Sequence, residues 1–168
     1  MGTFSSNIKK VFGHYDYNHG GSSQPLTANG WVQLLNDGTG VQTNDSQKPT
    51  GDGHRWNVAT GQFDFTGLNI GDLVEVQFEV QYTTTVSNTQ IDARMNLAIG
   101  DPINYTKPIR GSINYKNSGL QEPLRSSLKI TMDNLQTINN PGQVEVKCEN
   151  DMSVVVTGWK IFVNKRSL

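Results

Sequence analysis

The sequence predicts an all-β antiparallel sandwich, with a jelly roll as its natural topology, and three features carry that prediction. In the first, Val74, Val76, Phe78, Val80 and Tyr82 alternate with Glu75, Gln77, Glu79 and Gln81, and farther on Ile91, Ala93, Met95, Leu97 and Ile99 alternate with Asp92, Arg94, Asn96 and Ala98. A period of two sets one face on a core and the other toward water or a partner. The second feature is punctuation: about eight short apolar runs are separated by Gly, Pro and Asn turn residues, the signature of a sandwich or barrel. The third is that no segment carries an apolar stripe at helical spacing long enough for a helix.

Taken in order, residues 1–11 show no sustained period and read as an arm, flexible or docked on a partner through Phe4 and Ile8. Residues 12–168 then form a single β-sandwich domain. The aromatic-rich run 12–17 is the first strand, and 31–35 is the second, closed by the turn chemistry of Asn36-Asp37-Gly38-Thr39-Gly40. Residues 41–54 read as a long polar loop of the kind that serves a surface or an assembly contact. Strand candidates follow at Phe63 and Phe65. The two alternating runs within 71–100, joined by a polar reversal, read as one long antiparallel hairpin. Residues 101–124 suggest short strands among prolines and glycines, and 124–132 returns to clean alternation. Residues 133–142 are a connection, 144–148 a strand, and 153–163 the final strand.

That last strand has a peculiarity. Val154 and Val156 fall on one parity, whereas Val155, Trp159, Ile161 and Val163 fall on the other. A strand apolar on both parities reads as buried on both faces. The expectation is therefore a second subunit covering one face, with Val155, Trp159, Ile161 and Val163 at a self-association interface.

Composition narrows function. At 168 residues the chain is long enough for one real core, and its charged fraction of 17% with net charge −1 argues against disorder. Lys and Arg are scattered, which leaves no electrostatic footprint for nucleic acid. No run reaches membrane-spanning length, so no membrane insertion is expected, and the first ten residues lack the apolar core of a signal peptide. Cys148 stands alone on the apolar parity of its strand and reads as a buried structural thiol.

Candidate chemistry is sparse. His14, His19 and His54 have no metal-ligand spacing, and Asp37, Asp45 and Asp52 lack the pattern of a calcium loop. There is no nucleophile elbow and no phosphate-binding loop. No enzyme activity and no cofactor are expected. What remains suits recognition: loop aromatics such as Trp56 and Tyr105 are candidates for stacking on a host surface glycan.

Several short motifs carry a resemblance: 30–40 (GWVQLLNDGTG), Trp56-Asn57, 63–68 (FDFTGL), 71–76 (GDLVEV), 96–100 (NLAIG) and 156–159 (VTGW). Together, over residues 12–163, they resemble jelly-roll modules in virion proteins of tailed bacteriophages, which are similar to the tumour-necrosis-factor/C1q trimer fold. The resemblance implies a homotrimer, made in the host bacterial cytoplasm and carried on the virion. It implies a capsid decoration protein bound to the major capsid protein or another virion protein, with a receptor- or carbohydrate-binding tip of a tail or head fibre as the alternative.

Overall fold

The computed structural model describes residues 11–18, 22–35, 42–44, 46–115, 117–120 and 123–166. The arm expected over 1–11, with Phe4 and Ile8, lies outside the described residues except for Val11, whose carbonyl accepts a 2.7 Å hydrogen bond from the Lys165 amide. The 36–40 turn and Asp45 lie outside them as well.

The strands in chain order are β1 (Phe12–Asn18), β2 (Gln24–Leu26), β3 (Val32–Gln33), β4 (Gln42–Asn44), β5 (Trp56–Asn57), β6 (Gln62–Phe63), β7 (Leu73–Thr84) and β8 (Thr89–Leu97). After them come β9 (Tyr105–Tyr115), β10 (Gly119–Leu120), β11 (Leu124–Thr131), the short helix α1 (Leu135–Asn139), β12 (Gln143–Cys148) and β13 (Met152–Asn164). They form the all-β antiparallel jelly-roll sandwich that the alternation predicts. The large sheet has the order β10-β7-β13-β1-β4, with β11 also on β7 and β2 also on β13; the facing sheet runs β3-β12-β8-β9. The β5–β6 hairpin is a small sheet of its own, joined by a bridge between Phe63 and Gly142 to the chain just before β12.

The alternation of β7 and β8 is real, but their pairing is not the expected hairpin. β7 pairs with β13, β10 and β11, whereas β8 pairs with β12 and β9. Residues 85–88 carry the chain from one sheet to the other, with Asn88 in the left-handed region at φ 59°. Thr89 Oγ1 donates to the Val86 carbonyl and Thr85 Oγ1 to that of Asp151, which hold this crossing in place. Both strands therefore aim their apolar parity at the same core from opposite sides. Period-two patterning fixes which face is buried and says nothing of which strand is the neighbour.

The final strand supplies the main correction. Val156 lies opposite Val80 and Gly158 opposite Glu79, so Thr157 is an extra residue with no partner of its own. This β-bulge resets the side-chain parity. Met152, Val154 and Val156 before it, and Trp159, Ile161 and Val163 after it, all point into one core and are 6% exposed or less. The outer face is mixed, with Val155 and Phe162 among Ser153, Lys160 and Asn164. Trp159, Ile161 and Val163 are thus core residues rather than interface residues, and only Val155 of that set lies on the outer face, half-buried. The two apolar parities that motivated a subunit contact are thus one core face, broken in phase by the bulge. A side chain at Gly158 would press on the Tyr17 carbonyl, with a Cβ 3.3 Å away, which fits glycine at the bulge.

An aromatic cluster fills the centre of the core. The Trp56 ring lies 4.6 Å from that of Phe63 and 5.0 Å from that of Trp159, and Phe63 meets Trp159 edge-on at 5.2 Å. Such pairs add to the area term that already drives burial.

Candidate recognition surface

Beside the bulge, the outer face of the large sheet carries an open cleft of about 1010 Å³. Strand register lays its floor in rows. Ser127, Gln77, Lys160 and Asp16 lie side by side across β11, β7, β13 and β1, and the next row along the strands, just beyond the cleft's lining, is Lys129, Glu75, Phe162 and His14. On the other side of the first row, Arg125 faces Glu79 opposite Gly158. Thr157 Oγ1 donates to the Glu79 carbonyl at 3.0 Å, fastening the bulge to β7.

The charges of this floor are matched within it. Arg125 pairs with Glu79, Lys129 Nζ lies 3.8 Å from Glu75, and Lys160 Nζ lies 3.2 Å from Asp16. The Arg125 hydrogen bond holds the Glu79 carboxyl below its ordinary range. Gln77 donates to Glu75 at 2.9 Å, and His14 Nε2 lies 3.5 Å from Asp16. At one margin Phe162 stacks on Phe12 at 6.4 Å and meets the His14 ring at 5.7 Å. The arrangement offers hydroxyl, amide and compensated ionic groups next to an aromatic surface, which is the chemistry of recognition.

The residues expected to touch a glycan lie elsewhere. Trp56 is core, 4% exposed, so it has no face to offer a ligand. Tyr105 is half-buried, its hydroxyl 2.7 Å from Thr137 Oγ1 at the helix α1 and its ring under Lys107. Sequence reasoning passed over Lys160, Phe162 and Thr157. The signal that points to them is Gly158, because a glycine within a strand pattern marks a bulge and so a change of face.

A second polar cluster lies at the edge of the core. Arg55, 1% exposed, donates to Asp52 through Nε at 3.0 Å and through a second, shorter bond, and to the carbonyls of Asp64 and Thr66 at 3.1 and 2.7 Å. Tyr15 donates to Asp52 at 2.5 Å, and Lys165 Nζ lies 2.9 Å from it. Burial pushes the Asp52 carboxyl up, but the bonds from Arg55, Tyr15 and Lys165 outweigh that and hold it low. Burial, then the bond to Asp52, drives the Tyr15 hydroxyl well above its ordinary value. This cluster ties the described end of the 41–54 loop, expected to serve a surface or an assembly contact, to β1 and to the end of β13. Its donors and acceptors are used internally, which makes it a clamp rather than a binding site. Among the described residues, no three His, Cys, Asp or Glu side chains gather as a metal set.

No family model and no curated protein matches the chain. Solved structures do. A chain of the T=1 particle derived from infectious bursal virus superposes with a TM-score of 0.53 at 12% identity, over 94% of this chain and 32% of that one. The VP2 subviral particle of infectious bursal disease virus gives 0.50 at 12% identity, over 94% and 33%. The Eiger TNF of S. frugiperda gives 0.48 at 8% identity, over 95% and 96%. The chain spans about a third of the length of the viral particle proteins it matches. At these identities the likeness is one of fold: the chain has the jelly-roll architecture found in viral particle proteins.

Proposed function

We propose that the chain is a non-enzymatic structural protein of a virion, a homotrimeric decoration protein on the head of a tailed bacteriophage. The observation that carries this reading is the superposition of 94% of the chain on a jelly roll of a viral particle. The short motifs quoted above point to the phage form of such modules. Its partners are two further copies of itself and the major capsid protein or another virion protein.

Light scattering on the full chain, followed by co-sedimentation with purified heads and with purified tails, tests the proposal. A trimer that pellets with heads supports it, whereas a monomer, or a protein that binds neither structure, overturns it. Because Ile161 is core, a charge placed there unfolds the protomer and reports nothing about assembly. Val155→Asp, on the outer face, is the informative variant. The open cleft favours a second reading, a receptor-binding tip of a tail or head fibre, and pelleting with tails alone selects it.

A further inference from the structure

We propose that the cleft on the outer face of the large sheet is a binding site for a neutral polysaccharide, with Gln77, Ser127 and the Lys160–Asp16 pair as its polar floor and Phe162, in the row bordering it, as its stacking platform. The inference goes beyond the virion reading and stands whether the chain sits on a head or on a fibre.

Three properties of the cleft argue for this occupant. The first is charge. Cations in and beside the cleft meet carboxylates, Arg125 with Glu79 and Lys160 with Asp16 on the floor and Lys129 with Glu75 at its border. A polyanion, whether nucleic acid or acidic glycan, gains no net attraction from such a surface. The second is polarity. A protein partner is favoured by an interface centre depleted in charge, and this floor has ion pairs and amides at its centre. Paired carboxylates and ammonium groups keep spare lone pairs and N–H donors, which neighbouring sugar hydroxyls can bond at little desolvation cost. The third is shape. Polar groups repeat across strands about 4.8 Å apart, so an extended chain lying across β11, β7, β13 and β1 meets one strand's polar group after another along the row. Beside that path, in the next row on β13, Phe162, backed by Phe12 and His14, presents an apolar ring face to the C–H side of a sugar.

The opposite sheet shows what such a surface looks like when it is already occupied. There the one partly exposed indole, Trp31, has the Arg94 guanidinium 4.0 Å above its ring. Phe162 carries no cation over it among the described contacts.

The test is affinity electrophoresis of the full chain in native gels cast with xylan, laminarin, dextran or hydroxyethyl cellulose, with polygalacturonate and heparin as the anionic arm. At least one neutral polymer should retard the wild type, and the retardation should persist in 0.5 M salt, about three times physiological ionic strength. Phe162→Ala and Gln77→Ala should each weaken it about tenfold, equivalent to 1.4 kcal/mol. Lys147→Ala, on the other sheet, should leave it unchanged. Amide shift changes with the retarding polymer's oligosaccharide should be confined to β1, β7, β11 and β13. The proposal is overturned if no neutral polymer retards the protein, if only the anionic gels do, or if both variants, folded with wild-type melting curves, bind as the wild type does. Head or tail pelleting is scored separately, so failure of the cleft leaves the virion reading to its own test.

Discussion

The two outer faces of the sandwich are built from the same kind of alternation and end in opposite states. On the β3-β12-β8-β9 face, Glu145 is 6% exposed and accepts from Arg94 at 2.7 Å, Asn96 at 3.1 Å and Gln143 at 2.8 Å. Arg94 in turn covers Trp31, and Lys147 approaches the same ring at 5.5 Å. That face is closed by its own side chains. On the large sheet, ion pairs of similar composition lie open to water, with Arg125 82% exposed, around a cleft. The difference teaches that polar residues at outward parity do not define a function. Whether they interlock or stay available depends on the local backbone, and on the large sheet that backbone is bent by an extra residue at position 157.

Removing that residue is the most drastic way to break the comparison. Without Thr157, the half of β13 beyond it reverses its parity: Trp159, Ile161 and Val163 turn outward, while Lys160 and Phe162 turn into the core. Each lost burial costs about 1.5–3 kcal/mol. Together with a buried ammonium this approaches or exceeds the 5–15 kcal/mol that holds a typical domain together. The Thr157 deletion is expected to show no cooperative melting by circular dichroism. A deletion variant that melts like the wild type would mean that the bulge does not set the parity.

The same bulge explains how far the sequence could be read. Alternation in β7 and β8 identified the buried residues correctly, because burial depends on local parity. It could not identify neighbours, so two strands of opposite sheets looked like one hairpin. In β13 the parity rule itself failed, since Val155 and Trp159 appear in phase only if no residue is inserted between them. Gly158 was the visible warning. The Asp52–Arg55 clamp was invisible for another reason: only Asp52 and Arg55 are close in sequence, and nothing local links them to Tyr15 or Lys165. Trp56 reads as a loop aromatic available to a glycan, yet β5 folds it onto Trp159.

Next in size is the closed face. Glu145→Ala leaves Arg94, Asn96 and Gln143 without their acceptor, two of them half-buried amides, and is expected to cost about 2–3 kcal/mol in urea denaturation. The pH dependence follows the same group. Burial would raise the Glu145 carboxyl, but hydrogen bonds from Gln143, Asn96 and Arg94 hold it low. A folded pKa below the unfolded value near 4.3 gives a contribution that is fully present above that pH. It is lost as pH falls from there through the folded pKa. Asp52 behaves likewise, its folded pKa also being depressed. Wild-type stability should therefore decline as pH is lowered below about 4.3, and Glu145→Gln should decline less steeply across that window. Parallel slopes for the two proteins would show that Glu145 titrates normally.

The smallest effect belongs to the open face, and it sharpens the comparison most. Glu79 and Arg125 make a close ion pair, but Arg125 is 82% exposed, so solvent screens most of the attraction. Glu79→Ala is expected to change stability by less than about 1 kcal/mol, the range measured for exposed pairs. That change should shrink further in 1 M salt, where the screening length falls to about 3 Å. The cost of Glu145→Ala should hardly respond to salt, because most of it comes from buried groups left without partners rather than from long-range attraction. If Glu79→Ala instead cost as much as Glu145→Ala, and kept that cost in high salt, the large sheet's outer face would be as tightly interlocked as the other. Its polar groups would then be structural, with little left over for a ligand.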